Sequence, residues 1–218
     1  VRFAQSLGYS GFHALKIRLA EDIVSPSKLV HEDITPDDTA VAAVQKTMAM
    51  GLRSLEDTLH NLDENVLDGA IKVLCKARQI VLFASGNSIP IAMDLNFRLT
   101  WIGLASRFTT DPTMQEMHAA LLGPEDVAIG VSATGSSKHT VYTLELAKQH
   151  GAKTVCITNH SASPLTRHSD YPLITATRVN HFRDENLGSN LVMLALTEAL
   201  YVGICTEHAD IIMPAASR

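Results

Sequence analysis

Ile80-Val81-Leu82-Phe83-Ala84-Ser85-Gly86-Asn87-Ser88 and Val127-Ala128-Ile129-Gly130-Val131-Ser132-Ala133-Thr134-Gly135-Ser136-Ser137 share one design. Each is a short apolar run that stops at small hydroxyl residues and a glycine, then enters a helical pattern. An apolar run of five residues bounded by turn residues reads as a strand buried on both faces. In a parallel α/β sheet such turns gather at the carboxyl edge, where ligands bind. Hydroxyls, free backbone N–H groups and a helix N-terminus at that edge form a site for a phosphate or another anion.

The rest of the chain supports this reading. Strands are expected at Ile80–Ala84, Ala105–Thr109, Val127–Ser132, Thr154–Thr158 and Pro172–Thr175. Helical patterns fall between and after them, at Ile89–Ile102, Met114–Leu121, Lys138–His150, near Pro164–His168 and at Asn186–Cys205. Gly103 and Gly151 sit where helix C-caps are needed. The expected fold class is α/β: a doubly wound, parallel five-stranded sheet flanked by helices.

Upstream, Thr35-Pro36-Asp37-Asp38 has the composition of a helix start. The helix behind it carries Val41, Val44, Met48, Leu52, Leu55, Leu59 and Leu62 as one apolar stripe. That near-heptad rhythm fits either packing within the core or packing against a second copy of the chain. Asp63 is placed to cap a further helix. Val24 to Asp38, with Ser25-Pro26-Ser27, reads as a connector. Val1 to Asp22 forms a separate small segment, in which Gly8 suits a helix stop and Ser10 a helix cap. The chain starts in mid-pattern at Val1, so a longer protein is expected.

Composition limits the function. With 218 residues, 46% of them hydrophobic, the chain can build one medium domain plus an appendage. A net charge of −5 gives no global basic field for nucleic acid. No targeting or membrane-spanning run stands out, and three scattered cysteines fit thiols in a reducing cytoplasm. None of the ten histidines forms an H-x-x-x-H or H-E-x-x-H pair, so no metal is expected. The Ser132–Ser137 turn lacks the Gly-Lys-Ser/Thr of a nucleotide P-loop, and no G-x-G-x-x-G follows Ala84. No cofactor is called for, and no nucleophile–base pair lies in either turn. Glu185, in Arg183-Asp184-Glu185-Asn186, is the best candidate acid or base; a solvated acid at a helix start is an equal reading.

Ala84-Ser85-Gly86-Asn87-Ser88 resembles the first phosphosugar loop of the SIS (sugar isomerase) domain, usually G-x-G-x-S. Ser132 to Ser137 resembles its second, usually S-x-S-G-x-T. Gly151 to Asn159, with Ser163-Pro164-Leu165 and Asp170, resembles the strand and turn that follow. The resemblance spans about Asp63 to Cys205. It implies phosphate binding by the hydroxyls of Ser88, Ser132, Thr134 and Ser137 and by N–H groups around Ala133 and Ser136. Ser85, Asn87 and Glu185 are then candidates for the sugar. Ala84 in place of the usual first glycine, and the exchanged hydroxyl types at Thr134 and Ser137, leave all four hydroxyls in place.

Val-Arg-Phe-x-x-x-Leu-Gly-Tyr-x-Gly-Phe-x-x-Leu-Lys, over Val1 to Lys16, is similar to the end of the helix-turn-helix domain of RpiR-type bacterial regulators. Those regulators join this domain through a linker to a C-terminal SIS domain, which is the order found here. The resemblance implies three parts: a helix-turn-helix remnant over 1–28, a linker and long helix over 29–62, and an SIS domain over 63–218. It implies a transcriptional regulator with a phosphosugar effector and operator DNA as partners, no membrane, and a homodimer or homotetramer. Arg2 and Lys16 are the candidate DNA contacts, and no residue is assigned a catalytic role. A phosphosugar isomerase or amino-sugar-phosphate lyase on the same fold is the alternative, because fold alone does not fix function.

Overall fold

The computed structural model describes residues 34–35, 37–177 and 189–207. The chain forms two compact units, Val1–Lys46 and Thr47–Arg218. The described elements are α1 (Ala40–Asn61), α2 (Glu64–Lys76), β1 (Ile80–Ala84), α3 (Ile89–Trp101), β2 (Ser106–Arg107), α4 (Pro112–Ala120), β3 (Val127–Val131), α5 (Lys138–Gln149), β4 (Lys153–Thr158), α6 (Pro164–Arg167), β5 (Tyr171–Ile174) and α7 (Ser189–Glu207). A 3-10 turn over Gly86–Ser88 links β1 to α3.

All strand pairs are parallel, in the order β2-β1-β3-β4-β5. The five-stranded, doubly wound sheet expected from the alternation is therefore present. Both sheet faces are covered. Ile80, Leu82 and Ala84 point into one cluster with Leu74, Ile91, Leu95, Met193 and Leu200. Val81 and Phe83 alternate onto the other face, with Leu144, Ala147 and Leu165. Gly130 has a packing reason: a Cβ there would lie 3.1 Å from both Leu144 and Leu165, so the small residue lets α5 and α6 approach the sheet.

Two expectations need correction, and one open alternative narrows. The second strand is only Ser106–Arg107, not Ala105–Thr109. The chain leaves the sheet early because the Thr109 carbonyl accepts from Gln115 and the Thr109 hydroxyl accepts from the Asp111 N–H. The long helix starts after Thr39, whose hydroxyl accepts from the Ala42 N–H, while Thr35 and Asp38 close a separate turn before it. Most of the apolar stripe lies outside the core, with Leu55 half-buried and only Leu62 packed against the core cluster. Val41, Val44, Met48, Leu52 and Leu59 are 60–73% exposed, and the buried positions are Met50, Gly51, Ser54 and Thr58.

The last helix, α7, is long and apolar enough to cross a membrane by length and composition. Here Val192, Met193, Leu196, Leu200 and Ile204 are buried in the domain core, which accounts for that apolarity. Cys75, Cys156 and Cys205 are free, and burial pushes the Cys156 thiol up to about 11.

Asp126, fully buried just before β3, accepts from Nε and Nη2 of Arg78 at 2.8 and 2.6 Å and from the Gly123 N–H at 2.8 Å. The Arg78 hydrogen bonds hold this carboxyl below the usual carboxylate range. A carboxyl with a lowered folded-state pKa stabilises above its unfolded pKa, and that stability is lost as pH falls through the folded value. Asp126→Ala is expected to cost about 2 kcal/mol in urea unfolding near neutral pH. The difference from the unmodified chain should shrink below about pH 4; a difference that does not change with pH would contradict this account.

Candidate functional site

A 2-1-3-4-5 order places the topological switch point between β1 and β3, and ligands bind outside the carboxyl ends of the strands there. Ser85–Ser88 follows β1 and Ser132–Ser137 follows β3. The fold thus brings both turns to one place. Ser88 Oγ accepts from the Ala133 N–H at 3.4 Å, a direct contact between segments 45 residues apart.

The second turn is held from behind. The Ser132 N–H donates to the Ile157 carbonyl and the Gly135 N–H to the Ser132 carbonyl. The Ala133 carbonyl accepts from the Asn159 N–H and from Thr158 Oγ1. Gly135 has a positive φ of 61°, and a Cβ on it would strike the Ser163 side chain. Glycine is needed there on both counts.

The first turn is anchored by a residue that sequence reasoning missed. Gln115 on α4 is 1% exposed. Its amide donates to the carbonyls of Ala84 and Thr109, and its oxygen accepts from the Ala84 N–H. A glutamine one turn into an amphipathic helix gives no sequence signal for this. Thr140, fully buried, meets the Ser85 hydroxyl at 3.4 Å and was likewise unmarked.

Helix N-termini in the domain are of two kinds. Those of α2 and α4 are closed by Asp63 and Asp111, whose carboxylates accept first-turn N–H groups. Those of α3 and α5 begin at Ser88 and Ser137, and neither side chain makes a capping bond. Ser88 faces Ala133 instead, and Ser137 Oγ accepts from Ser132 Oγ at 3.1 Å. Neither helix has an acid in its first turn, and Lys138 opens α5. A cation at a helix N-terminus opposes the helix dipole, whereas an anion there is favoured.

Ser88 and Ser132 are buried, Ser85, Ala133 and Ser137 are half-buried, and Asn87, Thr134 and Ser136 are exposed. The Ser136 N–H rests on Thr134 Oγ1 at 3.2 Å. That contact and the Ala133–Ser88 bond are longer than the usual 2.9–3.0 Å. An incoming oxyanion would make shorter, charge-assisted bonds to the same donors. Glu185, Arg2 and Lys16 lie outside the described residues, as does the Val1–Lys16 motif. Close to the second turn, Nδ1 of His139 lies 3.6 Å from Glu116, and its Nε2 is buried without a partner. Among the described residues, no group of three or more His, Cys, Asp or Glu could hold a metal ion.

Residues 73–203 match the SIS domain. An uncharacterized HTH-type transcriptional regulator from Haemophilus influenzae is 32% identical over 97% of this chain and 75% of its own length. The HTH-type transcriptional regulator HexR of Pseudomonas aeruginosa is 31% identical over 100% of this chain and 76% of its own. The chain belongs to the RpiR-type family of SIS-domain transcriptional regulators.

Solved structures agree on the fold. The Vibrio vulnificus NanR protein complexed with ManNAc-6P superposes with a TM-score of 0.73 at 23% identity, covering 100% of this chain and 78% of that one. The sugar isomerase domain of the RpiR transcription factor from Sphaerobacter thermophilus gives 0.72 at 24% identity, covering 80% and 96%. Both serine-led turns lie within the matched residues 73–203.

Proposed function

We propose that the two turns bind the phosphate of a sugar phosphate, and that occupancy controls operator binding by the helix-turn-helix segment. The observation that carries this reading is the junction of the turns through Ser88 and Ala133 at the β1/β3 switch point. The hydroxyls of Ser88, Ser132, Thr134 and Ser137, with the N–H groups of Ala133 and Ser136, serve the phosphate. Ser85, Asn87 and Glu185 face the sugar, and Arg2 and Lys16 serve DNA. The protein acts in the cytoplasm as a homodimer or homotetramer. The ManNAc-6P bound by the NanR neighbour supports a phosphosugar as the ligand class.

A second reading, a phosphosugar isomerase or lyase, draws on the Glu116–His139 pair. At 3.6 Å it lies outside ordinary hydrogen-bond reach for acid–base work. One experiment separates the readings. The protein is mixed with labelled operator DNA and a panel of sugar phosphates in a gel-shift assay. Turnover is followed in parallel with fructose 6-phosphate and N-acetylmuramic acid 6-phosphate. One sugar phosphate should change the shifted fraction while no substrate turns over at ordinary enzyme rates, near ~10 per second. Such turnover with an unchanged DNA shift would reverse the assignment.

A further inference from the structure

A cavity of about 480 Å³ lies away from the serine turns, lined by residues that precede β1 and β2 and by the last turn of α4. Val81 and Arg107 are register partners on adjacent parallel strands, so both project to the same sheet face, the one covered by α4 and α5. β2 is an edge strand of two residues, and among the described residues no strand pairs beyond it.

The polar groups there are unevenly satisfied. Arg78 is engaged by the buried carboxylate of Asp126, so its charge is balanced. Arg107 is exposed and has no ion-pair partner among the described residues. Nδ1 of His118 is buried and meets no hydrogen-bond partner. A buried imidazole nitrogen without a partner is costly, and a native structure keeps few such groups. The remaining wall is apolar: Val81, Leu121 and Leu122. Leu121 is 73% exposed at the rim, where a leucine gains nothing from water.

These features define a ligand class. The exposed Arg107 guanidinium suits a single carboxylate, which it can grip with two parallel bonds. A sugar phosphate fits poorly, because its hydroxyls would lie against Leu121 and Leu122 without partners. We infer that this cavity is a second ligand site, for a small organic monoanion with an apolar body, separate from the turns at the carboxyl edge.

The test uses the chain as it stands, with benzoate as probe and benzamide as its uncharged counterpart, followed by amide NMR. Benzoate in the millimolar range should shift the signals of Val81, Ala105 and Leu122 and leave those of Ser132 to Ser137 in place. Benzamide should not. Arg107→Ala should weaken benzoate binding by about tenfold or more, as loss of a charge-assisted pair requires. Arg107→Lys should restore part of it. The unperturbed remainder of each spectrum reports that the variant is folded. No shift with benzoate, equal shifts with benzamide, or unchanged binding in Arg107→Ala would each overturn the inference. None of these outcomes depends on whether a sugar phosphate binds the serine turns.

Discussion

A sugar phosphate is expected to bind this chain about a thousandfold or more tightly than the same sugar without its phosphate. Hydrogen bonds to a charged group contribute about 1.5–3 kcal/mol each, against about 1 for neutral pairs. Two such bonds suffice for about 4 kcal/mol, which is a factor near a thousand. The turns offer more than two donors: the N–H groups of Ala133 and Ser136 and the hydroxyls of Thr134 and Ser137. The two helix N-termini behind them have no internal carboxylate to satisfy them. Thr134→Ala is the cleanest variant, because that residue is exposed and its removal leaves the packing intact. It should weaken binding about tenfold with an unchanged melting temperature. Ser132→Ala should cost both affinity and stability, since Ser132 is buried and donates to Ser137. Calorimetry that finds equal affinity for sugar and sugar phosphate would remove the phosphate from the account.

Both turns were readable in the sequence because two simple rules coincide there. A fully buried parallel strand must be apolar throughout, so Ile80–Ala84 and Val127–Val131 stand out as unbroken runs. Tight turns that enter a helix favour small residues, and Ser, Gly, Ala and Thr end those runs. Asp63 was legible for a similar reason: its carboxylate accepts from the Asn65 and Val66 N–H groups, a local bond fixed by spacing along the chain. Gln115 was not legible. Its three bonds to Ala84 and Thr109 exist only once β1, β2 and α4 have packed, and no local pattern encodes them. The length of β2 was misread on the same grounds. Ala105 to Thr109 has strand composition, but the side chain of Gln115 competes for the Thr109 carbonyl.

The face of α1 was left open by periodicity, between the core and a second copy of the chain. Periodicity says that a helix has an apolar stripe, not what covers it. In the single chain, Met48, Leu52 and Leu59 stay exposed, while Gly51, Ser54 and Thr58 form the buried face, with Thr58 Oγ1 accepting from the Ala176 N–H. Met50 and three small or polar residues therefore face the domain, while Val41, Val44, Met48, Leu52 and Leu59 face outward. A second copy of the chain packing on this outward stripe is the assembly that the following variant tests. A second outward set, Met93, Phe97 and Trp101, recurs at four-residue spacing on α3. Leu52→Asp combined with Leu59→Asp should leave the fold of one chain intact, since both side chains are already in water. The charges would sit in the seam between copies, where an unpaired carboxylate is costly to bury. The dissociation constant should rise by about a hundredfold or more, which is ~3 kcal/mol. Light scattering at tens of micromolar, with circular dichroism to confirm helix content, should show the mass of the double variant fall to one half of the unmodified value. An unmodified chain that is already monomeric, or a double variant of unchanged mass, would return the stripe of α1 to the solvent.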